Sequence, residues 1–220
     1  MASNVVAYIG YDSFDIILYL SRILQKLNRK VLIVDHSETS SLRYSIPEIN
    51  GIDPKQNVVS YRQVDFTLMD VNEKLCDYYD DILIDCGYGQ PKTNAQMLTR
   101  IVYVTDMYSY NSKRISNIRA YDDLNINTAL LIREATDVKI STKSIAEETK
   151  KQIPPERISI LYRDDRDYEN SIKCHYNQNF CFLKTSTMLK AYLLNEIQVL
   201  CSHLPEKQIR MAYDKARKGV

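Results

Sequence analysis

No tryptophan occurs among the 220 residues, and glycine occurs only five times. A chain that cradles phosphates on backbone N–H groups needs small residues clustered at the ligand, so the shortage of glycine weighs against an ordinary phosphate-binding enzyme. The five cysteines, Cys76, Cys86, Cys174, Cys181 and Cys201, are odd in number and scattered, which excludes a disulfide framework. "MASNVVAYIG" already reads as strand with no leader, so the chain is expected to be cytoplasmic with reduced thiols. "CHYNQNFC" lacks the CxxC spacing of a zinc site and a second ligand pair, so no metal is expected there. No apolar run is long enough for a membrane-spanning helix. The net charge of +1 removes bulk electrostatic attraction to nucleic acid. His36, His175 and His203 stand beside no candidate nucleophile and read as surface or loop residues.

What remains is ordinary for a globular chain: 45% hydrophobic and 26% charged residues, and a length that supports one large domain, 1–220. Seventeen tyrosines are many. They supply amphipathic surface and interface area, or reflect the compositional habit of an AT-rich genome.

Strand and helix patterns alternate along the chain. "NVVAYIG", "KVLIVD", "DDILIDC", "RIVYVTD", "NTALLIRE" and "RISILYRD" read as buried strands, and "NVVSYRQ" as a short edge strand. "SFDIILYLSRILQKLN" carries Phe14, Ile17, Leu20, Ile23, Leu24 and Leu27 on one helical stripe. "FTLMDVNEKLCDYY", "SYNSKRISNIRAYDDL", "TKSIAEETKKQ" and "TSTMLKAYLLNEIQVLCSHL" also read as helices, and "SETSSLRYSIPEINGIDPKQ" as a polar loop. Such alternation predicts an α/β fold: a mostly parallel sheet with helices on both faces, and a ligand crevice at the carboxyl ends of the strands. Those ends are Gly10, Asp35, Asp85 to Gly89, Thr105 to Asp106, and Arg133 to Glu134.

The first strand, its glycine and the following helix set the frame of a phosphate-binding loop. Yet "AYIGYDSFDIILYL" has one glycine, two aspartates and no lysine at the turn. The order of strand ends resembles the ParA/MinD family of deviant P-loop ATPases, over nearly the whole chain. "KVLIVD" fits the family's second strand, with Asp35 at its end, and "DDILIDCGYG" places Asp85 and Gly89 where the family has its magnesium-binding DxxxG. The resemblance implies a three-layer, P-loop NTPase-like fold. Counting back from Asp35 without a gap lays the family loop KGGxGKTT on Tyr8 to Asp15. Tyr8 then replaces the signature lysine, Ser13 the phosphate lysine, and Phe14 the magnesium-binding hydroxyl, while Gly10 alone remains of three glycines. The acid that follows Asp35 in many members becomes Ser37.

The degenerate nucleotide site on this reading comprises Gly10, Asp12, Ser13, Asp35, Asp85 and Gly89. Asp12 or Ser13 is expected to cap the first helix. Asp12 and Asp15 suit the helix dipole and repel a triphosphate. Asp35 reads as a loop cap, and Asp85 as either a magnesium ligand or a cap for the next turn. "RDDRDY", Arg163 to Tyr168, reads as a solvated turn at a place where family members contact adenine. No catalytic residue, metal or cofactor is expected; ATP and magnesium are the candidates that the family implies and the loop opposes.

The resemblance then implies a ParA/MinD-like pseudo-ATPase, a scaffold or localisation factor. Atypical members of the TadZ/CpaE type lack a standard loop and help place a pilus or secretion apparatus with its ATPase. A homodimer is expected through the strand-end face, anchored by Tyr11 and Tyr88, with recruitment to the inner face of the membrane by a partner. Two alternatives stand beside this: an active ATPase with an unusual loop, and a peripheral membrane or DNA-associated partitioning protein. The last draws on "KQIRMAYDKARKG", whose Ile209, Ala212, Tyr213 and Ala216 share one helical face; a helix docked on the surface is the simpler reading.

Overall fold

Apolar strands without polar alternation can be buried only between two layers of helices, and that is the architecture of the computed structural model. It describes residues 3–48, 53, 55, 57–119, 121–122 and 124–218. Parts of the polar loop after the second strand, and both chain ends, lie outside the described residues.

The elements run β1 (Asn4–Gly10), α1 (Phe14–Lys26), β2 (Val31–Asp35), α2 (Ser41–Tyr44), β3 (Val59–Tyr61), β4 (Val64–Thr67), α3 (Glu73–Tyr78), β5 (Asp81–Asp85) and β6 (Arg100–Thr105). There follow α4 (Ser109–Ser116), β7 (Asn127–Ala135), α5 (Thr142–Glu148), β8 (Ile158–Tyr162), α6 (Asp165–Asn177), α7 (Thr187–Leu200) and α8 (Glu206–Ala216). Eight strands form one sheet in the order β3-β4-β2-β5-β1-β6-β7-β8. Among the described residues only the β3–β4 pair is antiparallel.

Successive residues of each strand feed opposite cores. Val6 and Tyr8 of β1 share one core with Leu18 of α1, Leu193 of α7 and Ile209 of α8. Val5, Ala7 and Ile9 face the other way, with Ile115 of α4 and Ile145 of α5. A buried, bidentate pair ties α7 to the sheet: Arg100 donates to Glu196 at 3.2 and 2.8 Å. The apolar face of α8 is spent within the fold, since Ile209, Ala212, Tyr213 and Ala216 are all buried. That face cannot also enter a bilayer, and the docked reading of the C-terminal helix holds. Among the described residues no helix is long and apolar enough to cross a membrane.

Three readings of the sequence need correction. "FTLMDVNEKLCDYY" is not one helix: it finishes β4 and enters α3 only at Glu73. β4 and β3 form an edge hairpin that turns through Arg62 and Gln63, both at positive φ, a turn geometry more often signalled by Asn-Gly. "SYNSKRISNIRAYDDL" is helical only through Ser116. "RDDRDY" is not a solvated turn but the start of α6, where the Asp164 side chain caps by accepting from Arg166 N–H.

Candidate functional site

The sheet brings the expected residues to one end. Asp35 and Asp85 are aligned partners on β2 and β5, and Tyr8 is aligned with Asp85 from the other side. Three residues, Tyr11, Asp12 and Ser13, join β1 to α1, too few to wrap a phosphate in the manner of a glycine-rich loop.

Three N–H groups in and beside this junction are engaged by the protein itself. Gly10 N–H donates to Gly87 O at 2.6 Å, and Tyr11 N–H to Val104 O at 2.7 Å. Phe14 N–H donates to Asp12 Oδ1 at 3.2 Å. Asp12 therefore caps α1 as expected, whereas the buried Ser13 makes no side-chain capping bond. Gly10 has its own reason to be glycine. Its φ is +127°, and a Cβ there would lie 2.0 Å from Val104 O.

Neither Tyr8 nor Ser13 offers a cation to a phosphate. Tyr8 points into the core at 1% exposure, beside the Arg100–Glu196 pair. Burial foremost, then the Glu196 charge, holds its phenol well above the ordinary tyrosine range. Ser13 carries no charge, and Phe14 packs edge-on against His175 of α6 with ring centroids 5.7 Å apart.

Asp15 is the acid of the first turn of α1 as expected; it is 2% exposed, and Arg133 of β7 meets it with two bonds of 2.8 Å. The same guanidinium donates to Asp12 O at 2.6 Å. The β7–β8 register breaks between Ile132 and Ala135, and Glu134 has φ +51°. A bulge of this kind re-aims a side chain, here Arg133 toward the start of α1. The cation that the sequence lacks at the loop thus arrives from a strand 118 residues away.

The remaining acids act as caps. Asp35 accepts from Ser37 N–H at 3.0 Å and Ser37 Oγ at 2.6 Å, and through its other oxygen from Arg43 N–H at 2.9 Å. Asp85 accepts from Gly87 N–H at 3.0 Å. Its carboxyl is pushed up to about 7, first by burial and then by the charges of Asp35 and Asp12, against the Gly87 bond that lowers it. Gly89 closes the turn by donating to Cys86 O at 2.8 Å. His36 lies in the loop after β2, as one form of its reading had it, but its side chain is 2% exposed and Nε2 lies 3.2 Å from Met69 O. No group of three His, Cys, Asp or Glu side chains among the described residues is placed to hold a metal ion.

A cleft of about 390 Å³ opens beside the junction, between Tyr11, Asp15, Arg133, Tyr162 and Asp167. Five carboxylates and two guanidiniums line it, and one of those guanidiniums is already bound to Asp15. Such a wall disfavours a triphosphate. ATP and magnesium do not fit the residues present.

Aromatic side chains occupy the rest of this end. Tyr11 is half-buried, its phenol pushed up to about 12 by burial and the Glu134 charge. Tyr88 is also half-buried, donates its hydroxyl to Asn111, and carries Arg114 3.5 Å above its ring. Tyr108 and Tyr110 were not singled out from the sequence, yet they stack 5.6 Å apart and are 64% and 60% exposed. The signal was their position in "MYSY", just past the end of β6.

No protein-family description and no curated protein matches this sequence. Solved structures do. A ParA family ATPase from Chlorobium tepidum superposes with a TM-score of 0.59 at 13% identity, over 98% of this chain and 99% of that one. The septum site-determining protein MinD from Pyrococcus horikoshii, complexed with Mg-ADP, gives 0.59 at 12% identity, over 87% and 93%. A chain of the MinC:MinD cell division protein complex of Aquifex aeolicus gives 0.56 at 12% identity, over 98% and 95%. The eight-stranded, mostly parallel sheet with helices on both faces is the ParA/MinD-type P-loop NTPase fold.

Proposed function

We propose that this protein is a ParA/MinD-like pseudo-ATPase that works as a scaffold or localisation factor rather than as a nucleotide hydrolase. The single observation that carries the reading is the Arg133–Asp15 pair. It places a permanent internal ion pair at the junction where a nucleotide-binding relative needs lysine, small residues and free N–H groups. Gly10, Asp12, Ser13, Asp35, Asp85 and Gly89 are then the remains of a nucleotide site, retained because they build turns. The protein's role is association. The strand-end face offers Tyr11, Tyr88, Tyr108 and Tyr110, rings that bring large contact area at little rotamer cost. A homodimer through this face needs no nucleotide. The MinC:MinD complex shows one protein of this fold in a partner assembly, and a pilus or secretion ATPase is the class of partner that a TadZ/CpaE-like placement implies.

Sedimentation of the wild type and of a Tyr11→Asp/Tyr88→Asp variant, with and without ATP, tests the association. The expected result is a concentration-dependent dimer, indifferent to ATP and weakened in the variant. A monomer at every concentration, or a dimer untouched by both substitutions, removes this interface.

A further inference from the structure

We infer that the outer edge of β8 is a docking site for an extended segment of a partner protein, which joins the sheet as one further strand and seats apolar side chains in a groove beside α5. β8 is last in the strand order and, among the described residues, pairs only with β7. The main-chain groups on its other side therefore have no strand partner, and such an edge is a template for another chain. Exposed edges are usually guarded by charge or proline; "ISILY" has neither.

A second feature lies on the same edge. Ile158 and Ile160, two residues apart and both half-buried, face the α5 side of the sheet. With Leu130, Ala146 and Ile153 they line a largely apolar groove of about 460 Å³. None of its lining residues lines the cleft at the strand ends. A strand added to β8 would direct alternate side chains over this groove, so the main chain supplies affinity and the groove supplies selectivity.

The charges beside the strand define the occupant. Arg157 and Arg163 flank β8 directly, both are exposed, and neither belongs to an ion pair among the described residues; Glu156 and Asp165, exposed too, stand one and two residues further out. The fitting segment carries apolar or β-branched residues at alternate positions between acidic ends. A second copy of this chain fits poorly. Antiparallel self-pairing centred on Ile160 would set Arg157 against Arg163 of the other copy, twice, and like charges directly opposed are destabilising.

Selection from a phage library of random dodecapeptides, on the intact protein, tests the inference. Enriched peptides are expected to show acid-flanked apolar alternation. Once synthesised, they should slow amide exchange across Ile158–Tyr162. Their Kd should weaken on the order of tenfold in an Arg157→Glu/Arg163→Glu variant, two exposed charges reversed. That variant should melt with the wild type, because both side chains are exposed. The inference fails if no such peptides are enriched, if exchange slows elsewhere, or if binding survives the double variant. A wild-type dimer in sedimentation that the double variant alters would give the edge to a second copy and overturn it equally.

Discussion

Arg133 and Asp15 face each other across the first strand-to-helix junction through two parallel bonds of 2.8 Å, Nη1 to Oδ1 and Nη2 to Oδ2. Fork-to-fork geometry of this kind is the strongest form of a side-chain ion pair. Both partners are largely withdrawn from water, with side-chain exposures of 16% and 2%. Removing one partner leaves a buried charge. Arg133→Met is expected to lower unfolding free energy by about 3–5 kcal/mol, and Arg133→Met/Asp15→Leu to restore most of it. Urea unfolding of the single and double variants checks both halves. A single variant as stable as wild type would deny that the pair is internal structure.

Gly10 is held by Val104 O rather than by any ligand. Gly10→Ala must relieve a 2.0 Å approach to that carbonyl and adopt a φ of +127°. Destabilisation well above about 1 kcal/mol is expected, with no ligand present. Thermal unfolding of the purified variant measures it, and an unchanged midpoint would contradict the packing described.

Asp12 and Ser13 separate as caps. Asp12→Ala should cost ~1 kcal/mol, because the Phe14 N–H loses its acceptor. Ser13→Ala removes no capping bond. Parallel melts of the two variants decide it; equal losses would show that the Ser13 hydroxyl caps after all.

Asp85 gives the fold a pH dependence of defined sign. An aspartate with an ordinary value near 3.8 unfolded and about 7 folded binds its proton more tightly in the native state. Its contribution to stability is greatest below the unfolded value and is lost as pH rises from about 4 through about 7, by up to about 4 kcal/mol. Asp85→Asn keeps an acceptor for Gly87 N–H and removes the titration. The difference between wild type and variant in urea unfolding should therefore move in favour of the variant between pH 4 and pH 8. A constant difference across that range would place the titration elsewhere.

The sequence announced the layered fold because β1, β2, β5 and β6 are almost wholly buried, so their apolar runs carry a signal that needs no context. β4 did not, since "VDFT" mixes a charge into a short strand and its turn is built from Arg62 and Gln63 in place of glycine. α6 was hidden by its charge-rich opening; Cys174 is its one buried residue among thirteen. At the site, the absence of lysine and of all but one glycine from Tyr8 to Asp15 was legible residue by residue. What filled the gap was not: Arg133 reaches Asp15 only because a bulge turns β7, and no spacing in the chain announces a contact over 118 residues.

Phosphate release from Mg·ATP by the purified protein, measured beside Asp85→Ala, tests the pseudo-ATPase reading most directly. With Tyr8 in the core, Phe14 against His175 and Arg133 closed on Asp15, no turnover above the buffer rate is expected from either protein. Turnover by the wild type that persists through repurification and disappears in Asp85→Ala would contradict it.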